Sequence, residues 1–161
     1  MSEFLNYQRA QFSARFPTTW RYNASHFWLA PEDDGLWRIG FTKFATRMLG
    51  EMVDHHFEPA LGEPVIPGQP IGWIEGFKAL TELYCIAVGT FAGKNPLLDE
   101  DVSIISRDPH GDGWLYKVHG EPDPAAVDAH GYANILDATI DQFDKRNVEK
   151  RDAPGYEPYR F

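Results

Sequence analysis

Ile71-Gly72-Trp73-Ile74-Glu75-Gly76-Phe77-Lys78-Ala79-Leu80 is the stretch that decides the fold. Ile71, Trp73 and Ile74 favour a strand, Gly76 to Ala79 interrupts it, and Leu83 to Phe91 resumes a run of β-favouring residues. Two strand patterns separated by so short a break form a hairpin, with Lys78 at its tip. Toward the N-terminus, Trp37, Ile39 and Phe41 alternate with Leu36, Arg38 and Gly40, a period of two that predicts another strand. Phe41, Phe44, Ala45, Met48 and Leu49 then share one face of a short helix that Gly50 would end.

Pro59, Pro64, Pro67 and Pro70, with Gly62 and Gly68, crowd the stretch between Val53 and Pro70. Prolines lack the ladder donor, so turns and short edge strands are expected there. Beyond the hairpin, Gly93 to Pro109 carries turns and one short helical stretch. Trp114, Tyr116 and Val118 alternate as a strand, and Pro122 and Pro124 open an amphipathic helix with Tyr132, Ile135, Leu136, Ile140 and Phe143 on one face. Short strands between turns, with few helices, predict a mainly β (α+β) domain: a flattened barrel or sandwich with peripheral short helices and a C-terminal helix. Residues 1–24 are taken as an N-terminal extension with weak helical spacing at Leu5, Phe12 and Phe16, residues 25–143 as the domain, and residues 144–161 as a tail lying loosely on the surface.

The chain has 161 residues, 43% of them hydrophobic, with five Trp, seven Tyr and eleven Phe, which suits one domain with a real core. A net charge of −9 has the wrong sign for binding nucleic acid or an anionic membrane. Met1 to Tyr22 holds no apolar run long enough for a secretory signal or a span, and the single cysteine, Cys85, cannot close an internal disulfide. A cytoplasmic location is expected.

Most candidates for chemistry fail on spacing. His55, His56 and Glu58 form the densest cluster of ligand-type residues, but adjacent strand residues point to opposite faces, and neither His-Glu-x-x-His nor Cys-x-x-Cys occurs. A metal hydrolase around His26, His55 and Glu58 is the enzyme alternative. No Gly-x-Ser-x-Gly elbow is present, Cys85 lies in an apolar strand pattern as a small hydrophobe, and Gly111-Asp112-Gly113 precedes a strand rather than a phosphate-binding helix. Asp33-Asp34 and Asp99-Glu100-Asp101 are solvated acidic turns. By its residues alone Lys78 is a solvated turn lysine.

In order along the chain, however, Ser25-His26-Phe27-Trp28, Ile39-Gly40-Phe41-Thr42, Leu49-Gly50-Glu51, Glu58-Pro59, Ile74-Glu75-Gly76-Phe77-Lys78-Ala79, Leu83-Tyr84-Cys85 to Gly89, Asn95-Pro96, Asp108-Pro109 and Gly113-Trp114-Leu115 resemble the motifs of the glycine cleavage H-protein family, a branch of the lipoyl-domain superfamily. The likeness runs from about residue 25 to residue 140, through the helix that carries Tyr132.

The resemblance implies a lipoyl-type flattened barrel with lipoic acid joined by an amide to Lys78, and with Glu75, Gly76, Phe77 and Ala79 forming the turn that a lipoate ligase or lipoyl transferase recognises. Such a chain is a carrier and not an enzyme. Acylation replaces an ammonium by a neutral amide, so the arm can enter a partner's pocket. Lysine stem and lipoyl chain together span roughly ten bonds, about a dozen Å. The two sulfurs of the dithiolane cycle by thiol–disulfide exchange, and tethering raises the cargo's effective concentration at each docked partner.

Where the family's motif has Glu, this chain has Phe27; Gly76 and Phe77 replace the usual Ser and Val, and Cys85-Ile86 the usual Ser-Pro. Phe27 cannot accept a hydrogen bond from an amine. These departures point to a specialised paralogue carrying sulfur-bound intermediates for a heterodisulfide-reductase-like sulfur-oxidation complex, with lipoamide dehydrogenase resetting the thiols. A glycine cleavage H protein, shuttling an aminomethyl group between glycine decarboxylase and aminomethyltransferase, is the alternative, and a non-lipoylated interaction module the second. A biotin carrier would want methionines beside the lysine, which Phe77 and Ala79 are not.

Overall fold

The computed structural model describes residues 3–150. Strands β1 (Phe4–Arg9) and β2 (Phe12–Pro17) make a separate antiparallel hairpin. A six-stranded antiparallel sheet follows, in the order β3 (Arg21–Tyr22), β4 (Phe27–Pro31), β5 (Leu36–Phe41), β11 (Tyr116–Pro122), β10 (Ala87–Lys94) and β7 (Pro64–Val65). The third sheet has three strands, β6 (Met52–Phe57), β8 (Pro70–Gly76) and β9 (Leu80–Tyr84), in that order. Helices are few: α1 (Lys43–Leu49), the single turns α2 (Leu97–Glu100) and α3 (Ile104–Arg107), and the long C-terminal α4 (Ala129–Lys150). The mainly β class with peripheral helices therefore holds, and the sheets pack as layers without closing into a barrel.

Strand β4 explains the layering. Phe27 to Ala30 are all buried, because alternate side chains serve different cores. Phe27 and Leu29 join Ile39, Phe41, Ile71, Ile74 and Leu83 between the two larger sheets. Trp28 and Ala30 turn the other way, into a mostly aromatic cluster with Tyr7, Phe12, Phe16, Phe44, Tyr132, Leu136 and Ile140. The Trp28 indole donates to the Phe41 carbonyl at 2.8 Å and the Pro109 carbonyl at 3.0 Å. Its ring lies against Gly40, where a Cβ would stand 2.6 Å from the indole.

Four expectations need correction. Leu5, Phe12 and Phe16 belong to the β1–β2 hairpin and not to a helix, since Phe12 and Phe16 are fully buried at period two on one face of β2. Met52 to Phe57 is a full strand: the prolines that interrupt pairing begin only at Pro59. Leu83 to Phe91 is not one strand, because the chain leaves one sheet at Tyr84 and enters the other at Ala87. The C-terminal helix runs on through Lys150, past the expected start of the tail at Asp144; the rest of that tail, residues 151–161, lies outside the described residues.

Candidate functional site

The site is built where α1 ends against the β8–β9 hairpin. Thr42 caps the start of α1, its Oγ1 accepting from the Ala45 amide at 3.4 Å, and Gly50, at φ +78°, ends it with its amide on the Thr46 carbonyl. The last turn of a helix leaves carbonyls without partners. Here the hairpin supplies them: the Lys78 amide donates to the Leu49 carbonyl at 2.9 Å and the Lys78 ammonium to the Arg47 carbonyl at 3.1 Å. The Phe77 amide donates to the Glu51 carbonyl at 3.0 Å, and the Gly76 amide to the Ala79 carbonyl at 2.9 Å, which closes the turn. Gly76 has to be small in this packing, because a Cβ there would stand 2.2 Å from the Leu49 carbonyl oxygen.

The hairpin tip is thus held mainly by main-chain bonds while its residues, apart from Gly76, stay exposed. Lys78 is exposed and makes no ion pair among the described residues. Phe77 is 80% and Leu80 67% exposed, a large apolar display on either side of the lysine. Glu75 is exposed at the end of β8, opposite Leu80, and Ala79 is exposed as well. Of the predicted turn residues only Gly76 is buried.

Two depressions flank α1. A pocket of about 270 Å³ has walls from Phe27, Met48 and Tyr84, with Ser25, His26 and Glu82 among its polar groups. Phe27 stacks on Phe41 with ring centres 4.9 Å apart, so the position that resembles the family's Glu is apolar and buried. A carboxylate is present all the same. Glu82, four residues after Lys78 on β9, accepts from the Tyr84 hydroxyl at 2.9 Å and borders this pocket. Sequence reasoning missed it, because only the fold brings β9 beside α1. His26 hydrogen-bonds Tyr132 at 2.8 Å, and burial lowers its pKa to about 4, so the pocket holds a neutral imidazole.

On the other side of α1, a cavity of about 510 Å³ is lined by Lys43, Arg47, Gly50, Glu51, Lys78 and Arg107, among others.

The remaining candidates are scattered. His56 meets Glu58 at 2.7 Å, while His55, on the opposite face of β6, lies 3.3 Å from Asp99. His26 belongs to the Tyr132 contact in the aromatic core. No group of three His, Cys, Asp or Glu suited to a metal occurs among the described residues. Cys85 is buried with its thiol 3.2 Å from the Ala87 carbonyl, and burial pushes its pKa up, so it is a poor nucleophile.

Residues 20–134 match the family described as glycine cleavage H-protein. A glycine cleavage system H protein of Alteromonas mediterranea is 36% identical over 128 residues, which is 77% of this chain and 98% of that protein. Its counterpart in Pseudoalteromonas atlantica is 32% identical, again over 77% of this chain and 98% of the relative. The crystal structure of such a protein from Mycobacterium marinum superposes with a TM-score of 0.67 at 32% identity, covering 75% of this chain and 98% of that one. With the fold, the ordered motifs and the matched span in agreement, the chain belongs to the glycine cleavage H-protein family.

Proposed function

We propose that this chain is a lipoyl carrier whose attachment point is Nζ of Lys78. H proteins are non-catalytic carriers that bear lipoate on a lysine. The observation that carries the assignment is the hairpin tip, where Lys78 is fixed through its backbone on Leu49 while its ammonium stays exposed, with no carboxylate partner among the described residues. A ligase needs that access: the amine gives up a proton, its lone pair forms the amide, and the activating group leaves the lipoyl carboxyl. Phe77 and Leu80 offer the ligase an apolar foothold beside the lysine. The attached dithiolane supplies a redox-active sulfur pair. The chain's own residues hold the pivot, and the Arg47 carbonyl can accept from the amide N–H as it does from the ammonium.

An aminomethyl group is the cargo best supported. The matched relatives are glycine cleavage system H proteins, and Glu82 borders the pocket between α1 and β9, where a carboxylate could hold an amine. A charge-assisted hydrogen bond of that kind contributes about 1.5–3 kcal/mol. Glycine decarboxylase, aminomethyltransferase, a lipoate ligase or transferase and lipoamide dehydrogenase are the partners that follow, in the cytoplasm. No described helix is long and apolar enough to cross a membrane.

A second reading rests on Phe27, whose stacked, buried ring makes the pocket's inner wall apolar. That wall suits a sulfur-bound intermediate, with a heterodisulfide-reductase-like complex as partner; the comparisons favour the glycine cleavage reading over it.

Intact-mass analysis after co-expression with a lipoate ligase tests the assignment. One lipoyl group on the wild type and none on Lys78→Arg is expected, and an unmodified wild type refutes it. Loading by glycine decarboxylase at the rate of the Alteromonas mediterranea protein, lowered roughly ten- to hundredfold by Glu82→Gln, supports the aminomethyl cargo; absence of loading favours the second reading.

A further inference from the structure

The larger cavity on the far side of α1 has a charge that an aminomethyl carrier does not call for. Lys43, Arg47 and Arg107 line it with Glu51 and Asp108, so cations outnumber carboxylates even after Lys78 is acylated, on a chain of net charge −9. The fixed charges are not all available. Arg107 is tied to Asp101 at 2.9 Å, and Asp108 accepts from the Asp112 amide at 2.9 Å. The Arg47 guanidinium, by contrast, has no partner among the described residues, and the Lys43 ammonium donates to the neutral Ser13 carbonyl at 2.7 Å and stands over the Phe12 ring, 5.9 Å from its centre. Burial and the nearby Arg47 both lower the Lys43 pKa, in keeping with two cations held close together. In the same wall the Ser106 hydroxyl is buried and has no hydrogen-bond partner among the described residues.

The lysine already leads into this space. Its stem lies on Gly50, whose Cβ, if present, would stand 3.1 Å from Lys78 Cγ, and its Nζ reaches the Arg47 carbonyl at 3.1 Å. An acylated nitrogen keeps one N–H for that bond, so the arm would leave along the wall that carries Arg47.

Taking Lys78 as the attachment point, we propose that this cavity is a second resting place for the arm, one that receives anionic cargo: a carboxylate, sulfonate or phosphate at the end of the tether. The pocket with Glu82 and Phe27 repels such a group, and the cavity with Arg47 and Lys43 attracts it. The two sides of α1 thereby sort the arm by the charge it carries. Ser13 belongs to the β1–β2 hairpin, which precedes the family match at residue 20, so the bond that holds Lys43 in place comes from a part of the chain outside that match.

The experiment uses lipoylated full-length protein, reduced and then alkylated on the arm with iodoacetate, iodoacetamide or 2-bromoethylamine, giving tethers of matched size that end in an anion, a neutral amide or a cation. Backbone amide resonances are compared by NMR. The anionic arm is expected to shift Arg47, Gly50 and Arg107, an effect lost at 1 M salt on the scale of screening at that concentration (about 3 Å) and lost in Arg47→Gln. The cationic arm is expected to shift Ser25, Thr81 and Glu82 in both proteins. Anionic and neutral arms that perturb the same residues overturn the inference, as does an anionic arm that settles beside Glu82. Intact mass, read first, keeps the two failures apart: a chain without a lipoyl group refutes Lys78 as the attachment point, whereas a lipoylated chain whose arms ignore charge refutes the sorting alone.

Discussion

Acid should destabilise this protein before its carboxylates titrate, because two histidines are buried in neutral form. Burial lowers the pKa of both His26 and His110 from 6.5 to about 4. The unfolded chain therefore binds more protons than the folded one between pH 6.5 and 4, and stability falls as pH drops through that window. At pH 5 each unfolded imidazole is almost fully protonated and each folded one about a tenth protonated. The linkage amounts to roughly 2 kcal/mol per histidine, or about 4 kcal/mol for the pair. That is a large share of the roughly 5–15 kcal/mol that a domain of this kind has. Burial of His55, which also lowers its pKa, adds in the same direction. Urea unfolding at pH 7.5 and pH 5.0 measures the difference, with the double variant His26→Gln/His110→Gln as control. The variant is expected to lose most of the pH slope whatever its absolute stability. Equal wild-type stabilities at the two pH values would show that the imidazoles take up protons in the folded state, which would refute the neutral pocket beside Phe27.

Two further outcomes follow from packing. Gly40→Ala puts a methyl 2.6 Å from the Trp28 ring, which is held by two hydrogen bonds and by stacking on Trp20 at 4.4 Å; a loss of about 2–4 kcal/mol and a Tm lower by roughly 5–15 °C are expected in thermal unfolding. Phe77→Ser with Leu80→Ser removes only exposed side chains, so Tm should hold within a few degrees while the ligase's kcat/KM for this chain falls about tenfold; an unchanged kcat/KM would remove the apolar foothold.

The hairpin tip was legible from residues 71–91 because strand signals lie on both sides of a glycine-containing break, and Trp37, Ile39 and Phe41 were legible because one face of β5 meets a core. The β1–β2 hairpin was not, since Leu5, Phe12 and Phe16 fit a helical spacing as well as a strand one. The turn that decides between them depends on Ala10 at φ +52°, a conformation alanine does not advertise. The switch of sheets at Cys85 and Ile86 was hidden by an unbroken apolar run. Glu82 was invisible as a site residue for a different reason: its role comes from the fold of β9 beside α1, and its local text is that of any solvated strand glutamate.

The bonds that seat the tip on Leu49 and Glu51 run from amide to carbonyl and involve no side chain. Mutation at residues 49 and 51 can therefore alter what surrounds the tether without displacing its point of suspension. Partners of quite different surface chemistry can find the same swing radius about the same centre, and specificity is free to evolve in the scenery while the hinge post stays put.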